Sequence, residues 1–247
     1  MTTWIPNWMH RLASPPTFYA FAGRLQPWLW AASAALLGYG LVGGLALAPA
    51  DYQQGEGFRI IYVHVPAAWM SLFTYSLMAG AAVIALVWRI KLAECVMTSC
   101  APVGASFTAL ALVTGMLWGK PMWGAYWNWH DARLVSELVL LFMYWGIVAL
   151  NQAITDPRAA ARACSLLAIV GAINALIVKY SVIWWNTLHQ GPTLKVGGST
   201  IDAAMLWPLL AAMAGLACFC AYVIARRIEN ELLWRERGNP WVREAVA

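Results

Sequence analysis

An all-α integral membrane protein of six transmembrane helices, with both termini cytoplasmic, is the fold class this sequence predicts. Three observations point there. Charged residues make up 11% of the 247-residue chain and hydrophobic ones 62%, with mean hydropathy +0.61, whereas a soluble domain carries about 25% charged residues. Six long apolar stretches are continuous rather than alternating, which selects helices over a barrel. Lys and Arg fall unevenly between the loops those stretches define.

The stretches come in order. Residues 28–48, 60–88 and 95–119 contain no Asp, Glu, Lys or Arg. The fourth, 134–155, has its uncharged part after Glu137. The fifth, 163–184, is interrupted by Lys179 near its end, and the sixth is 203–225. A helix crosses the hydrocarbon with about 17–25 such residues, so each qualifies. No repeat, low-complexity tract or long polar linker divides the chain, and residues 1–247 read as a single polytopic domain. With a cytoplasmic N-terminus, eleven basic residues lie inside: Arg11, Arg24, Arg89, Lys91, Arg158, Arg162, Arg226, Arg227, Arg235, Arg237 and Arg243. Arg59, Lys120, Arg133, Lys179 and Lys195 lie outside. This inside bias accounts for most of the net charge of +5 without a nucleic-acid partner.

Several function classes fall away. The polar, proline-rich N-terminus does not resemble a signal peptide, although "APA" at 48–50 imitates a cleavage site. Cys95, Cys100, Cys164, Cys218 and Cys220 lie in or near the cytoplasmic halves of spans, so no structural disulfide is expected. No C-x-x-C-H run exists to attach a covalent heme. "GMLWGKP" is one residue short of a phosphate loop and follows its lysine with Pro121; any ATP hydrolysis belongs to another chain.

The informative stretch is "WGKPMWGAYWNWHDARL", residues 118–134, the predicted periplasmic loop between helices three and four. It holds Trp118, Trp123, Trp127 and Trp129 interleaved with Gly119, Pro121 and Gly124. Trp28, Trp30, Trp88, Trp207 and Trp234 fit an interfacial aromatic belt. A belt does not need four indoles in one shaped loop, whereas a flat apolar ligand does. Counting loops puts two histidines on the same outer face: His64, at the outer end of span two, and His189, after span five. Alone, His64 reads equally as a structural residue and His189 more readily as an ordinary loop histidine; together they suggest a pair of ligands. His10, inside, receives no role. Heme matches the set, with faces for indoles, iron for imidazoles and propionates for Arg or Lys. Arg133 would hold a propionate or pair with Glu137. Asp131 would cap helix four or orient a donor in the loop. Zinc would want further Cys or His ligands and has no use for indoles, and no serine sits in a nucleophile elbow. Gly40 and Gly44, in "GLVGG", form a small-residue face suited to a partner helix.

Those residues also carry a resemblance. The tryptophan stretch resembles the WWD motif of heme-handling proteins. "GFRIIYVHVPAAWM" together with "WGKPMWG…DARLVSEL" resembles the CcmC family of bacterial cytochrome c maturation, over about residues 28–226. The resemblance implies that His64 and His189 are axial ligands of heme b held non-covalently and transiently. It implies that Trp118, Trp123, Trp127, Trp129, Asp131, Arg133 and Arg59 complete the binding site. It further implies a non-enzymatic protein of the inner membrane that presents heme at the periplasmic face to the heme chaperone CcmE. Its other implied partners are the ABC transporter subunits CcmA and CcmB and the small membrane protein CcmD. The family pattern reads W-x-W-D-A-R, and this chain reads W-N-W-H-D-A-R. His130 is thus one extra residue, which shifts Asp131 and Arg133 relative to the indoles and adds a third outer histidine. Two other readings stand beside this one: a bis-histidine electron-transfer cytochrome, and a permease carrying heme across the bilayer. A ligand-free scaffold with the loop as an interface is a third.

Overall fold

Helix starts follow local capping chemistry wherever the sequence supplies an acid. In the computed structural model, which describes residues 14–185, 187, 189, 194–195, 198–199 and 201–246, Asp131, Asp156 and Asp202 each accept backbone N–H bonds at a helix N-terminus. Pro157 sits directly after one of these caps, where its missing N–H costs nothing. His10 and Arg11, considered above, lie outside the described residues.

The elements are α1 (Pro15–Val42), a π-helical turn (Gly43–Leu47), a 3-10 helix (Glu56–Ile60), α2 (Ile61–Trp88), α3 (Lys91–Trp123), α4 (Ala132–Ala153), α5 (Pro157–Trp184), α6 (Ala203–Arg235) and the short α7 (Pro240–Val246). Between α5 and α6, Leu194–Lys195 and Gly198–Ser199 pair as a two-residue antiparallel hairpin, β1 and β2. Six helical segments are long and apolar enough to cross a membrane. The expected six-helix count is therefore the observed one, and the chain is a multi-pass membrane protein. Several helices run further than hydropathy alone suggests: α6 continues to Arg235, α5 and α1 begin at Pro157 and Pro15, and α3 continues through Pro121 to Trp123. It stops because Gly124 adopts a left-handed φ of 79° and returns its N–H to Lys120 O. Half of the tryptophan-rich stretch is thus helix, and its irregular part runs from Gly124 to Asp131.

The core lies between α2, α3, α4, α5 and α6, around the fully buried Tyr75, Met78, Met97, Leu140, Tyr144 and Ile147. Tyr75 and Tyr144 meet edge-to-face at 4.9 Å. Tyr144 can cross here because position 104 is glycine; a Cβ there would lie 2.1 Å from its ring. The five cysteines are free thiols. In contrast, α1 packs chiefly on α6, and the small-residue face supplies the seam. A Cβ on Gly40 would lie 2.6 Å from the Ala212 nitrogen, and one on Gly215 would lie 2.7 Å from the Leu37 nitrogen. The partner helix for "GLVGG" is accordingly one of the chain's own. Trp28, Trp30, Trp88, Trp207 and Trp234 are all exposed on the bundle surface, as belt residues are.

Helix direction alternates, so one end of the bundle gathers the start of α2, the end of α3, the start of α4 and the end of α5. The other end is tied by charge. Lys91 Nζ donates to Glu236 at 2.6 Å, and Arg235 pairs with Glu94 at 3.0 Å and Glu231 at 2.6 Å. Trp241 Nε1 also donates to Glu236 at 2.6 Å, which docks α7.

Candidate functional site

The site is built where α2, α3, α4 and the segment after α5 converge. His64 stands one turn into α2 and is buried. Its ring faces Trp118, on the last turns of α3, at 5.8 Å between centroids. Trp118 in turn meets Trp123 at 5.7 Å, Trp123 meets His189 at 5.9 Å, and His189 meets His64 at 6.4 Å. Two imidazoles and two indoles from three separate segments thus form a closed circuit of ring contacts. Position 115 is glycine because a Cβ there would lie 3.0 Å from His64 Cε1. A Cβ on Gly119 would lie 3.0 Å from Ala125 O, so glycine there lets the loop fold back closely on the end of α3.

Two clefts adjoin this circuit. The deeper one, with about 290 Å³ of open space, is lined by His64, His189, Arg133, Glu137, Ala111 and Leu134, among others. The outer one, about 310 Å³, is lined by Trp123, Trp127, Tyr126, Gly115, Gly119 and His189, among others. His189 and Leu134 border both. Trp127 continues the aromatic wall and meets the largely exposed Trp129 at 5.3 Å.

Asp131 is buried and caps α4, accepting from Arg133 N at 2.9 Å and Leu134 N at 3.1 Å. That cap orients the first turn, from which Arg133 reaches the deeper cleft. Arg133 Nη1 donates to Val178 O on α5 at 3.1 Å. Among the described residues its expected ion pair with Glu137 is not formed; Glu137 is buried and accepts from Ser71 Oγ at 2.7 Å. Arg59 lies apart from both clefts. It pairs with Glu56 and donates to Gly44 O at 3.0 Å, bracing the 3-10 helix against the π-turn. His130 is exposed and lines neither cleft; its N–H donates to Asn128 Oδ1 at 3.0 Å.

Burial pushes the His189 imidazole down to about 4, and the positive charge of Arg133 and the neighbouring His64 push the same way. The ring is therefore neutral at physiological pH, with a nitrogen lone pair to offer. Its Nδ1 is buried without a hydrogen-bond partner among the described residues, as are the indole nitrogens of Trp118 and Trp127. The two indole N–H donors suit a ligand that brings acceptors, and the unpartnered imidazole nitrogen suits one that can bond it in either role. Spacing can be tested too. An imidazole nitrogen sits about 2 Å from a bound metal and about 1.1 Å from its own ring centre, so two trans imidazoles hold their centres about 6.2 Å apart. The observed 6.4 Å is close to that. The two imidazoles, the indoles and the Arg133 guanidinium are the kinds of groups that would hold a flat, iron-bearing ligand with acidic substituents.

Sequence reasoning passed over Thr114, Gly115 and the role of Glu137. Thr114 and Glu137 were detectable as polar residues at membrane depth, but neither belongs to the aromatic pattern.

Comparison with known proteins adds the family. The model of the family "CcmC: Heme exporter protein C" matches residues 8–243. The chain belongs to the CcmC family. It is 49% identical over 238 residues to Heme exporter protein C of Escherichia coli K12, covering 96% of both chains. Identity to the protein of that name from Haemophilus influenzae is 47% over 238 residues, again 96% of both. The Bradyrhizobium diazoefficiens protein of the same name is 48% identical over 225 residues, covering 91% of this chain and 85% of that one. Membership of the CcmC family thus spans all six membrane helices and the paired-histidine site.

Proposed function

We propose that this chain binds heme at the periplasmic face of the bacterial inner membrane and presents it to CcmE for c-type cytochrome maturation. Its relatives are named heme exporter proteins, which supports a role in heme export for cytochrome c maturation. The single observation that carries the site is the 6.4 Å spacing of the His64 and His189 rings, each bordered by an indole.

In this reading His64 and His189 would hold the iron through their imidazole nitrogens, which anchors the heme without a covalent bond to the chain. The indoles of Trp118, Trp123, Trp127 and Trp129 cover the macrocycle, and Arg133 takes a propionate by a charge-assisted hydrogen bond. Arg59 acts indirectly by holding the start of α2, and Asp131 acts through the first turn of α4. The outer cleft opens to the surface at the exposed Tyr126, so one edge of the heme would face outward. That exposed edge is what the chaperone takes, and the heme b is held non-covalently and transiently. CcmA, CcmB and CcmD complete the assembly, with ATP consumed by the transporter subunits.

The test is a visible spectrum of the purified full-length protein. A low-spin heme band is expected in the wild type, lost in His64→Ala and in His189→Ala and kept in His130→Ala. An unchanged band in both of the first two variants would refute the clamp, and loss in His130→Ala would assign the ligand elsewhere.

A further inference from the structure

The two imidazoles of the circuit are held differently. His64 Nδ1 lies 3.0 Å from Thr114 Oγ1 on α3. The threonine hydroxyl has a single proton, and carbonyls one turn back compete for it: Leu110 O at 2.7 Å and Ala111 O at 3.2 Å. A hydroxyl inside a helix donates to just such carbonyls. Its oxygen then turns a lone pair toward His64, and the imidazole must be the donor, from Nδ1–H. A neutral imidazole carries one N–H, so the remaining lone pair falls on Nε2. Packing holds the ring in that orientation. Gly115 lies against its Cε1 edge, and Trp118 meets it at 61°. No comparable bond orients His189, whose Nδ1 is without a partner among the described residues.

We propose that Thr114 is a positioning residue: its hydroxyl presets His64 in the tautomer that offers Nε2 to iron before heme arrives. The inference rests on the histidine clamp described above. It follows the general chemistry of metal-bound imidazoles, which give their second N–H to a fixed acceptor that sets the tautomer and raises ligand basicity.

The experiment has a readout that needs no heme. Nitrogen-15 NMR of histidine-labelled, full-length protein in detergent micelles reports which ring nitrogen is protonated, with the His64 signals assigned by their loss in His64→Asn. The wild type should show His64 protonated at Nδ1 alone. Thr114→Val, of nearly the same shape, should give a mixture of both tautomers at His64 and leave the His189 signals in place; Thr114→Ser should restore the single form. Titration with hemin should then show affinity about 10–100-fold weaker in Thr114→Val, the usual cost of removing such a partner, and close to wild type in Thr114→Ser. A wild-type His64 protonated at Nε2, or a Thr114→Val protein with unchanged tautomer and hemin affinity, overturns the assignment. Failure of the clamp reads differently: His64→Ala would then bind hemin as well as wild type, and the role of Thr114 would fall with it. Loss of binding in His64→Ala with no effect in Thr114→Val removes the Thr114 assignment alone.

Discussion

Asp131 shows how one side chain serves site and fold at once. Its carboxylate closes the N-terminus of α4, and the turn it closes delivers Arg133 to the cleft. Replacing a capping Asp by Ala costs about 1 kcal/mol, within a range of roughly 0.5–2. Asp131→Ala should therefore lower the thermal midpoint in detergent and weaken hemin binding through Arg133, whereas Asp131→Asn, also a good cap, should retain both. Melting curves and hemin titrations of the two variants check this. The cap was legible in the sequence because acid and helix start are adjacent in the chain. The bond from His64 to Thr114 was not, because its partners are 50 residues apart and meet only through the relative rotation of two helices. Arg59 makes the same point in reverse. The family resemblance placed it in the binding site, whereas its guanidinium bonds Glu56 and Gly44 O, apart from both clefts.

Helix packing depends on where side chains are missing. On α1, Gly38 and Gly40 are two residues apart, yet a Cβ on Gly38 meets nothing within 4 Å and one on Gly40 meets the Ala212 backbone. Gly40→Val should push α1 off α6 and destabilise by about 1–3 kcal/mol, the usual cost of overpacking, while Gly38→Val should be close to neutral. Thermal unfolding of the pair, alike in chemistry and helix, isolates the seam. At the opposite end, α7 hangs on Glu236. Burial would raise this carboxyl, but N–H donors from Lys91, Trp241 and Asn239, with the Lys91 charge, hold it below the ordinary 4.5. Its folded value lies below the unfolded one, so the unfolded chain binds more protons as the solution is acidified. The stabilisation is full above about 4.3, the unfolded value for Glu, and is lost as pH falls through the folded value. Fluorine NMR of fluorotryptophan at 241 should report α7 loosening only under acid in the wild type, and already at neutral pH in Glu236→Gln.

At the scale of the whole molecule, the two ends of the bundle differ in kind. One is an ion-paired, helix-docked end and the other an aromatic end with two clefts. If the aromatic end is periplasmic, a membrane-impermeant maleimide should label His130→Cys in intact spheroplasts and leave Arg243→Cys unlabelled until the membrane is opened. The reverse pattern would invert the molecule and with it the proposed route of heme presentation. By itself the sequence determined the six membrane helices, their order and the set of residues sharing one end. It could do so because a bilayer obliges each span to satisfy its own backbone, which makes length and apolarity local and readable. Only the tertiary structure decided that the two imidazoles and two indoles close into one circuit, that Arg133 bonds α5 instead of Glu137, and that Thr114 backs His64. Those contacts depend on how far each helix is turned about its axis. That rotation is set by glycines and ring shapes meeting across the bundle, which no single stretch of sequence contains.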